Sequence, residues 1–292
     1  MLLKGKNIII TGSGRGIGRA IAIACAKEGA NLGLTARTLE QLNETKKKIE
    51  DLGINVKVII KSADITQYKE VENAFKTFYE GLGQFNGVIA NAGYSRMWVS
   101  HEFDTNKFSE IINTNISGVF HTFKAAYPYM KKDDKSNKSR FIITGSAAYT
   151  NPMVKLAAYT ASKYAVVGLQ YSLAQEYKKE NISFNMVLPT MVDTALLRGS
   201  KAGDGNKPPN VMDPWELNEY YLFLLSEKAN KLDNSLIFTS DFEELKKLLS
   251  NAPSGKKENW KVFKEYLESN APKTYENVRK LGKLVDFFIS RM

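Results

Sequence analysis

Cysteine and histidine are nearly missing from this chain. Cys25 is the only cysteine in 292 residues, and His101 and His121 are the only histidines. A single cysteine cannot close a disulfide within the chain, so a reducing, cytoplasmic compartment is expected. Two histidines give no ligand set for a metal such as zinc and no basis for a histidine triad, so no metal site is expected. Long apolar runs are missing too, which excludes a membrane-spanning helix. The opening MLLKGKNIIITG runs straight into a strand-like stretch, unlike a signal peptide. Blocks of one charge sign are also scarce. The formal net charge is +10, yet the lysines are scattered, and the cluster KKDDKSNKSR at 131–140 is diluted by acids and small polar residues. Such a surface serves solubility, and no nucleic-acid partner is expected. Chemistry is left to Tyr, Lys, Ser, Asn and carboxylates, or to a bound cofactor.

What the sequence does have is alternation. Short runs rich in Ile and Val (NIIIT 7–11, NLGLT 31–35, VKVII 56–60, GVIAN 87–91, RFIIT 140–144, ISFNMV 182–187) alternate with longer segments of helical period. This pattern predicts βαβ units, hence an α/β fold: a doubly wound parallel sheet with helices on both faces. A last strand that then runs into a helix is expected in SLIFTSDFEELKKLL at 235–249. The reading gives a nucleotide-binding catalytic domain over 1–240 and a helical C-terminal extension over 241–292. Residues 195–214 are Gly- and Pro-rich without clear period, and a loop of that length in such a domain reads as a lid over the substrate.

Between the first strand and first helix stands TGSGRGIG at 11–18. Thr11, Gly12, Gly16 and Gly18 fall where a tight turn and a close backbone approach leave room for a pyrophosphate at the helix N-terminus. Farther along stand ANAG at 90–93 and YTASK at 159–163. In YTASK, Tyr159 and Lys163 share one helix face, and an ammonium there favours the phenolate and lowers the tyrosine pKa. Such a pair also arises by accident in a chain rich in both residues, and YPYMK at 127–131 is a second match. Pro128 follows Tyr127 at once, and helix packing is expected there.

With these three motifs in this order, the chain resembles the short-chain dehydrogenase/reductase family over about residues 5–240. That resemblance implies a Rossmann-type fold and NADP(H) or NAD(H) as cofactor. It implies that Tyr159 donates a proton, that Lys163 assists it and binds the nicotinamide ribose, and that Ser146 polarises the substrate carbonyl. Asn115 would hold a water near the lysine through its backbone carbonyl. Ser13, Arg15 and Ile17 join the glycine loop in the implied cofactor site. Asp64 and Ile65 flank the adenine, Asn91, Ala92 and Gly93 wall the ribose, and Pro189, Val192 and Thr194 lie by the nicotinamide. Family members preferring NAD carry an acid about where Ala36 stands. Here Arg37 follows instead, just outside a helix start that Thr38 and Gln41 could close as a capping box. A cation gains nothing from that helix end, whereas a 2′-phosphate would use it, together with Arg15, so NADP(H) is expected over NAD(H). Read from the residues alone, Ser146 also fits a strand-end turn, Asn115 a polar break in a helix, Asp64 a helix cap, and the two arginines plain solvation.

Two departures stand out. Thr190 replaces a glycine usual in the family, and threonine tolerates positive φ poorly. The family's Val-Asp-Gly-Gly ending is missing, and about fifty further residues close on a stripe of Val278, Leu281, Leu284, Val285 and Phe288. Docking of that stripe on protein is expected, and membrane association is not. The expected activity is NADPH-dependent reduction of a small-molecule carbonyl by a homodimer or homotetramer. The competing readings are a dehydrogenase working in the oxidising direction and an NADP-binding regulator without turnover.

Overall fold

The apolar runs become the strands of one parallel sheet, and the period-two alternation within them decides which core each residue joins. The computed structural model describes residues 1–130, 138–253, 255 and 260–291; most of the lysine cluster at 131–140 lies outside them. Among the described residues there are seven strands: β1 (Asn7–Thr11), β2 (Asn31–Ala36), β3 (Val58–Ser62), β4 (Gly87–Ala90), β5 (Ser139–Thr144), β6 (Ile182–Leu188) and β7 (Ser235–Phe238). They pair in parallel in the order β3-β2-β1-β4-β5-β6-β7. Ile8 and Ile10 of β1 enter one core cluster and Ile9 enters the other, as a pleated strand buried on both faces requires.

The chain-order helices up to β7 are α1 (Gly16–Lys27), α2 (Leu39–Glu50), α3 (Tyr68–Leu82), α4 (Thr105–Ile112), α5 (Gly118–Ala126), α6 (Ala157–Glu176), α7 (Ala195–Arg198) and α8 (Asn218–Leu225). Buried residues of α1, α2 and α8 build the first cluster, and those of α3, α5 and α6 build the second. Sequence order reverses between β1 and β4, which opens a crevice at the carboxyl ends of these strands. The nucleotide cavity lies around that crevice.

Three local expectations are corrected. β3 starts at Val58, two residues later than the apolar run suggests, because Asn31 Oδ1 accepts from Lys57 N (2.9 Å) and the parallel ladder begins opposite Leu32. Thr38 occupies the N-cap of α2 but makes no capping bond, and Gln41 lies against Gly14 instead of turning back, so no capping box forms. Thr190 is not at positive φ: among the described residues only Lys155 and Asn234 are, apart from glycines.

Beyond β7 come α9 (Thr239–Asn251), α10 (Trp260–Asn270), α11 (Pro272–Val278) and α12 (Gly282–Ile289). Val278, Leu284, Val285 and Phe288 are buried in the first cluster with Phe242, Leu245, Phe263 and Phe287, whereas Leu281 is only half-buried. The stripe is not one helix. It breaks over Arg279–Leu281, and α12 begins at Gly282, where Trp260 packs so close that a Cβ would collide with its indole. Aromatic contacts tie this unit to α8: Tyr220 meets Phe242 and Phe288 edge-on, and Phe223 meets Phe287 at 5.5 Å.

Candidate active site

The glycine loop is locked onto the next crevice strand by hydrogen bonds. Thr11 Oγ1 accepts from Asn91 N (3.1 Å) and Ala92 N (3.2 Å), and Asn91 Nδ2 donates to Thr11 O (3.1 Å). Gly12 has φ 65°, and a Cβ there would lie 2.8 Å from Ala92 Cα, so this position requires glycine. Gly18 is needed for the same closeness, its missing side chain leaving room for Gly12 O.

One cavity brings together Gly12, Arg15, Gly16, Ile17, Arg37, Asp64, Ile65, Asn91, Ala92, Gly93 and Thr194. Thr11, Ser13, Gly18, Tyr159, Lys163, Pro189 and Val192 are not on its wall. Ser13 is fully buried with its hydroxyl turned to Thr35 O (3.2 Å), and Thr11 serves the loop lock. Pro189 accepts from Ala147 N (2.8 Å), and the buried Val192 bridges to Met212. Asp64 caps no helix: its Oδ1 accepts from Thr66 N and Oγ1 in a local turn, while α3 begins at Tyr68. Sequence reasoning missed Gly14, Thr38, Gln41, Ala63, Thr114 and Ala195 as wall residues. For Gln41 the only sequence signal was a polar residue one turn into α2, which the capping pattern claimed.

Tyr159, Lys163, Ser146 and Asn115 converge at the start of α6. Ser146 follows β5, its Oγ accepting from Ala148 N (3.1 Å) and sharing a hydrogen bond with the half-buried Tyr159 phenol. Burial pushes the Tyr159 pKa up, and the bond to Ser146 opposes this. Lys163 Nζ lies 5.4 Å from the Tyr159 ring centre and donates to Thr144 O (3.1 Å). Burial draws this ammonium down to about 8. In the protein alone, burial of the phenol outweighs the bond to Ser146, so the Tyr159 pKa lies above the ordinary value rather than below it.

Asn115 is buried within a π-helical turn, Asn113–Ser117, between α4 and α5. Its side chain accepts from Tyr94 N (2.8 Å) and donates to Tyr94 O (2.9 Å) and Ser162 Oγ (2.9 Å). Ser162 in turn donates to Tyr159 O (2.6 Å). This relay pins the segment after β4 to the turn of α6 that carries Tyr159. Ser162 was missed, although it stands inside YTASK. Tyr127 has no such company: its hydroxyl donates to Glu180 Oε1 (2.6 Å) and its ring packs on Phe123 and Tyr177.

The family model described as short chain dehydrogenase matches residues 6–204. The chain belongs to this family. It is 32% identical over 213 residues to (-)-trans-carveol dehydrogenase of Rhodococcus erythropolis, covering 67% of this chain and 74% of that one. It is also 32% identical over 197 residues to mouse 3-ketodihydrosphingosine reductase, covering 66% of this chain. That match spans only 58% of the mouse protein's length. Among solved structures, a short-chain type dehydrogenase/reductase from Mycobacterium marinum aligns with a TM-score of 0.71 at 30% identity, over 81% of this chain and 94% of that one. An alcohol dehydrogenase from Thermococcus sibiricus complexed with 5-hydroxy-NADP aligns with a TM-score of 0.71 at 28% identity, over 80% and 95%.

The residues present fit the dinucleotide that this short-chain dehydrogenase family implies. Lys163 is buried with a single recorded side-chain bond, which leaves two of its three N–H donors for ribose hydroxyls or water. Among the described residues no ion pair or side-chain hydrogen bond is recorded for Arg15 or Arg37, and both are exposed on the cavity wall. The wall offers no carboxylate at Ala36. Arg198, by contrast, is spent on Asp193 (3.0 Å) and Asp204 (2.8 Å). Those ion pairs, with the bond from Gly203 N to Asp193 Oδ2 (3.0 Å), also fasten the irregular segment after α7.

Proposed function

We propose that this chain is an NADPH-dependent reductase that converts a ketone to a secondary alcohol, and the reverse. The observation that carries this reading is the convergence of Ser146, Tyr159 and Lys163 at the start of α6, with Lys163 Nζ 5.4 Å from the Tyr159 ring centre. Bound NADPH would supply the hydride. As charge develops on the carbonyl oxygen, Ser146 donates a hydrogen bond and Tyr159 transfers its proton. Lys163 then stands beside the phenolate and stabilises it by charge. Burial holds the phenol in its protonated form, the form that reduction needs. The names of two relatives, a carveol dehydrogenase and a 3-ketodihydrosphingosine reductase, support an alcohol–ketone couple. Exposed Met97, Trp98, Met153 and Val154 border the strand-end loops near Tyr159, with Trp98 N bonded to Lys155 O (2.9 Å), and they suit a substrate with a bulky apolar body.

Tyr159→Phe is expected to leave NADPH affinity nearly unchanged and to lower turnover on the responsive carbonyl roughly 10²–10⁴-fold, the usual loss for a general acid. Calorimetric NADPH titration beside an absorbance assay over steroid, quinone, sugar and acyl-thioester carbonyls measures both. Near-normal turnover in the variant would sink the assignment. For the cofactor, Ala36→Asp with Arg37→Ala exchanges phosphate attraction for a 2′-hydroxyl acceptor. A charge-assisted contact of about 1.5–3 kcal/mol predicts a shift in relative affinity toward NADH of roughly ten- to a hundredfold. Equal wild-type affinity for NADH and NADPH rules this preference out.

A further inference from the structure

A second cavity, about 980 Å³, adjoins the nucleotide cavity and shares Arg15, Gly16, Thr194 and Ala195 with it. It follows one face of α1, where Arg15, Arg19, Ile23 and Lys27 recur every fourth residue. At 1.5 Å per residue this face is about 18 Å long. The opposite wall comes from the segment after α7, from Trp215, from Asn218 and Leu222 of α8, and from Arg291 behind α12. The volume is that of a small-molecule site, and no step of the proposed reaction uses it.

The lining sorts by chemistry. Ala20, Ile23, Ala24 and Leu222 give an apolar floor, and the Trp215 side chain stands 63% exposed at the rim. The acids on the wall are all engaged. Arg291 holds Glu28 and Glu219 (2.8 Å each), Lys207 holds Asp213 (2.8 Å), and Arg198 holds Asp193 (3.0 Å). Two of the cations are not. Arg19 is committed to Glu44 (2.8 Å), but Lys27 and Lys48 have no recorded partner among the described residues. Asn218 Oδ1 is also buried there without a hydrogen-bond partner, so the wall retains an unused acceptor. What remains for a ligand is an apolar trough and uncompensated positive charge at the α1–α2 rim.

We propose that this groove binds an elongated amphiphilic anion, its apolar body on the Ile23–Leu222 floor beneath Trp215 and its carboxylate or phosphate at Lys27 and Lys48. The charge complementarity decides the occupant, since a second apolar protein face would leave both lysines facing no acid. The proposal does not depend on the reaction assigned above.

Dodecanoate and dodecyl phosphate, below their micellar concentrations, serve as probes in calorimetric titrations of the full chain saturated with NADPH. Saturation closes the nucleotide cavity to the probes. One site per chain is expected for both, weakening with salt because the lysines are exposed. Dodecanol and inorganic phosphate, each lacking half of the recognition, are expected to bind roughly tenfold more weakly or not at all. Lys27→Ala with Lys48→Ala should weaken dodecanoate by about tenfold, and Ile23→Asp should abolish binding. Melting curves of these variants matching wild type establish that the fold is retained. Binding indifferent to the lysine pair, binding displaced by NADPH, or no binding because light scattering finds the groove closed in an oligomer would each overturn the proposal. A preference for dodecanoate over dodecyl phosphate assigns the head group to a carboxylate; the reverse assigns it to a phosphate.

Discussion

Lys163 is costly where it sits. Its ammonium is buried with one hydrogen bond, to Thr144 O, and burial alone draws it down from 10.5 to about 8. The sign of the linkage follows. Below pH 8 folded and unfolded chains both hold the proton, and the penalty for burying the charge is complete. Between 8 and 10.5 the unfolded chain still holds a proton the folded chain has released, so stability rises with pH. The slope is at most about 1.4 kcal/mol per pH unit. Lys163→Met removes the charge and keeps the apolar stem, so the variant is expected to be more stable than wild type at pH 7. That advantage should narrow as pH passes 8. Urea titrations of the cofactor-free proteins from about pH 7 to 9.5 test it, and a stability gap independent of pH refutes it. Thr190 is the other informative residue. Its backbone N donates nothing to a turn but binds Thr239 Oγ1 (3.1 Å), and its hydroxyl reaches Glu243 Oε1 (3.2 Å). The residue that departs from the family pattern thus fastens the strand-end segment to α9, the first helix of the other departure.

At the level of elements, whatever rests on periodicity was legible in the sequence, and whatever rests on partners distant in sequence was not. The strands follow the apolar runs because the inner five, β1, β2, β4, β5 and β6, are buried on both faces, whereas the edge strands β3 and β7 are mostly half-buried. The two-residue shift of β3 was hidden because the deciding partner, the Asn31 side chain, sits on another strand. The capping box at α2 failed for the same kind of reason: Gln41 has Gly14 to pack against, a neighbour 27 positions earlier in the chain. In the site, Tyr159 and Lys163 follow from helical spacing, whereas the role of Asn115 as a tie between Tyr94 and Ser162 needs three separate elements brought together. The π turn around Asn115 has no sequence signature of its own, and such insertions often accompany functional sites. The break between α11 and α12 was equally hidden, because Gly282 is required by an indole 22 residues away.

Across the whole molecule, the first core is shared between the sheet and the C-terminal helices. No helix among the described residues is long and apolar enough to cross a membrane, and the apolar stripe of the C-terminal helices is turned inward. Phe288 is 3% exposed, with Tyr220 at 5.0 Å and Phe242 at 5.4 Å between ring centres, and Lys246 covers it from outside. Phe288→Ala is therefore expected to cost about 3–5 kcal/mol, since truncation leaves a void that rigid aromatic neighbours cannot fill. That is a large part of the roughly 5–15 kcal/mol by which domains are stable. Deleting residues 242–292 removes Phe242, Phe263, Leu284, Phe287 and Phe288 together and bares Tyr220 and Phe223 on α8. At about 1.5–3 kcal/mol for each buried side chain, the loss matches the whole stability, and the truncated chain should show no cooperative melting transition. The full chain should ignore anionic vesicles in co-sedimentation, because the stripe is already occupied. Unchanged melting on truncation, with vesicle binding that fades in salt, would place the tail on a lipid surface instead. A Phe288→Ala cost below about 1 kcal/mol would show that the tail contributes little to the core.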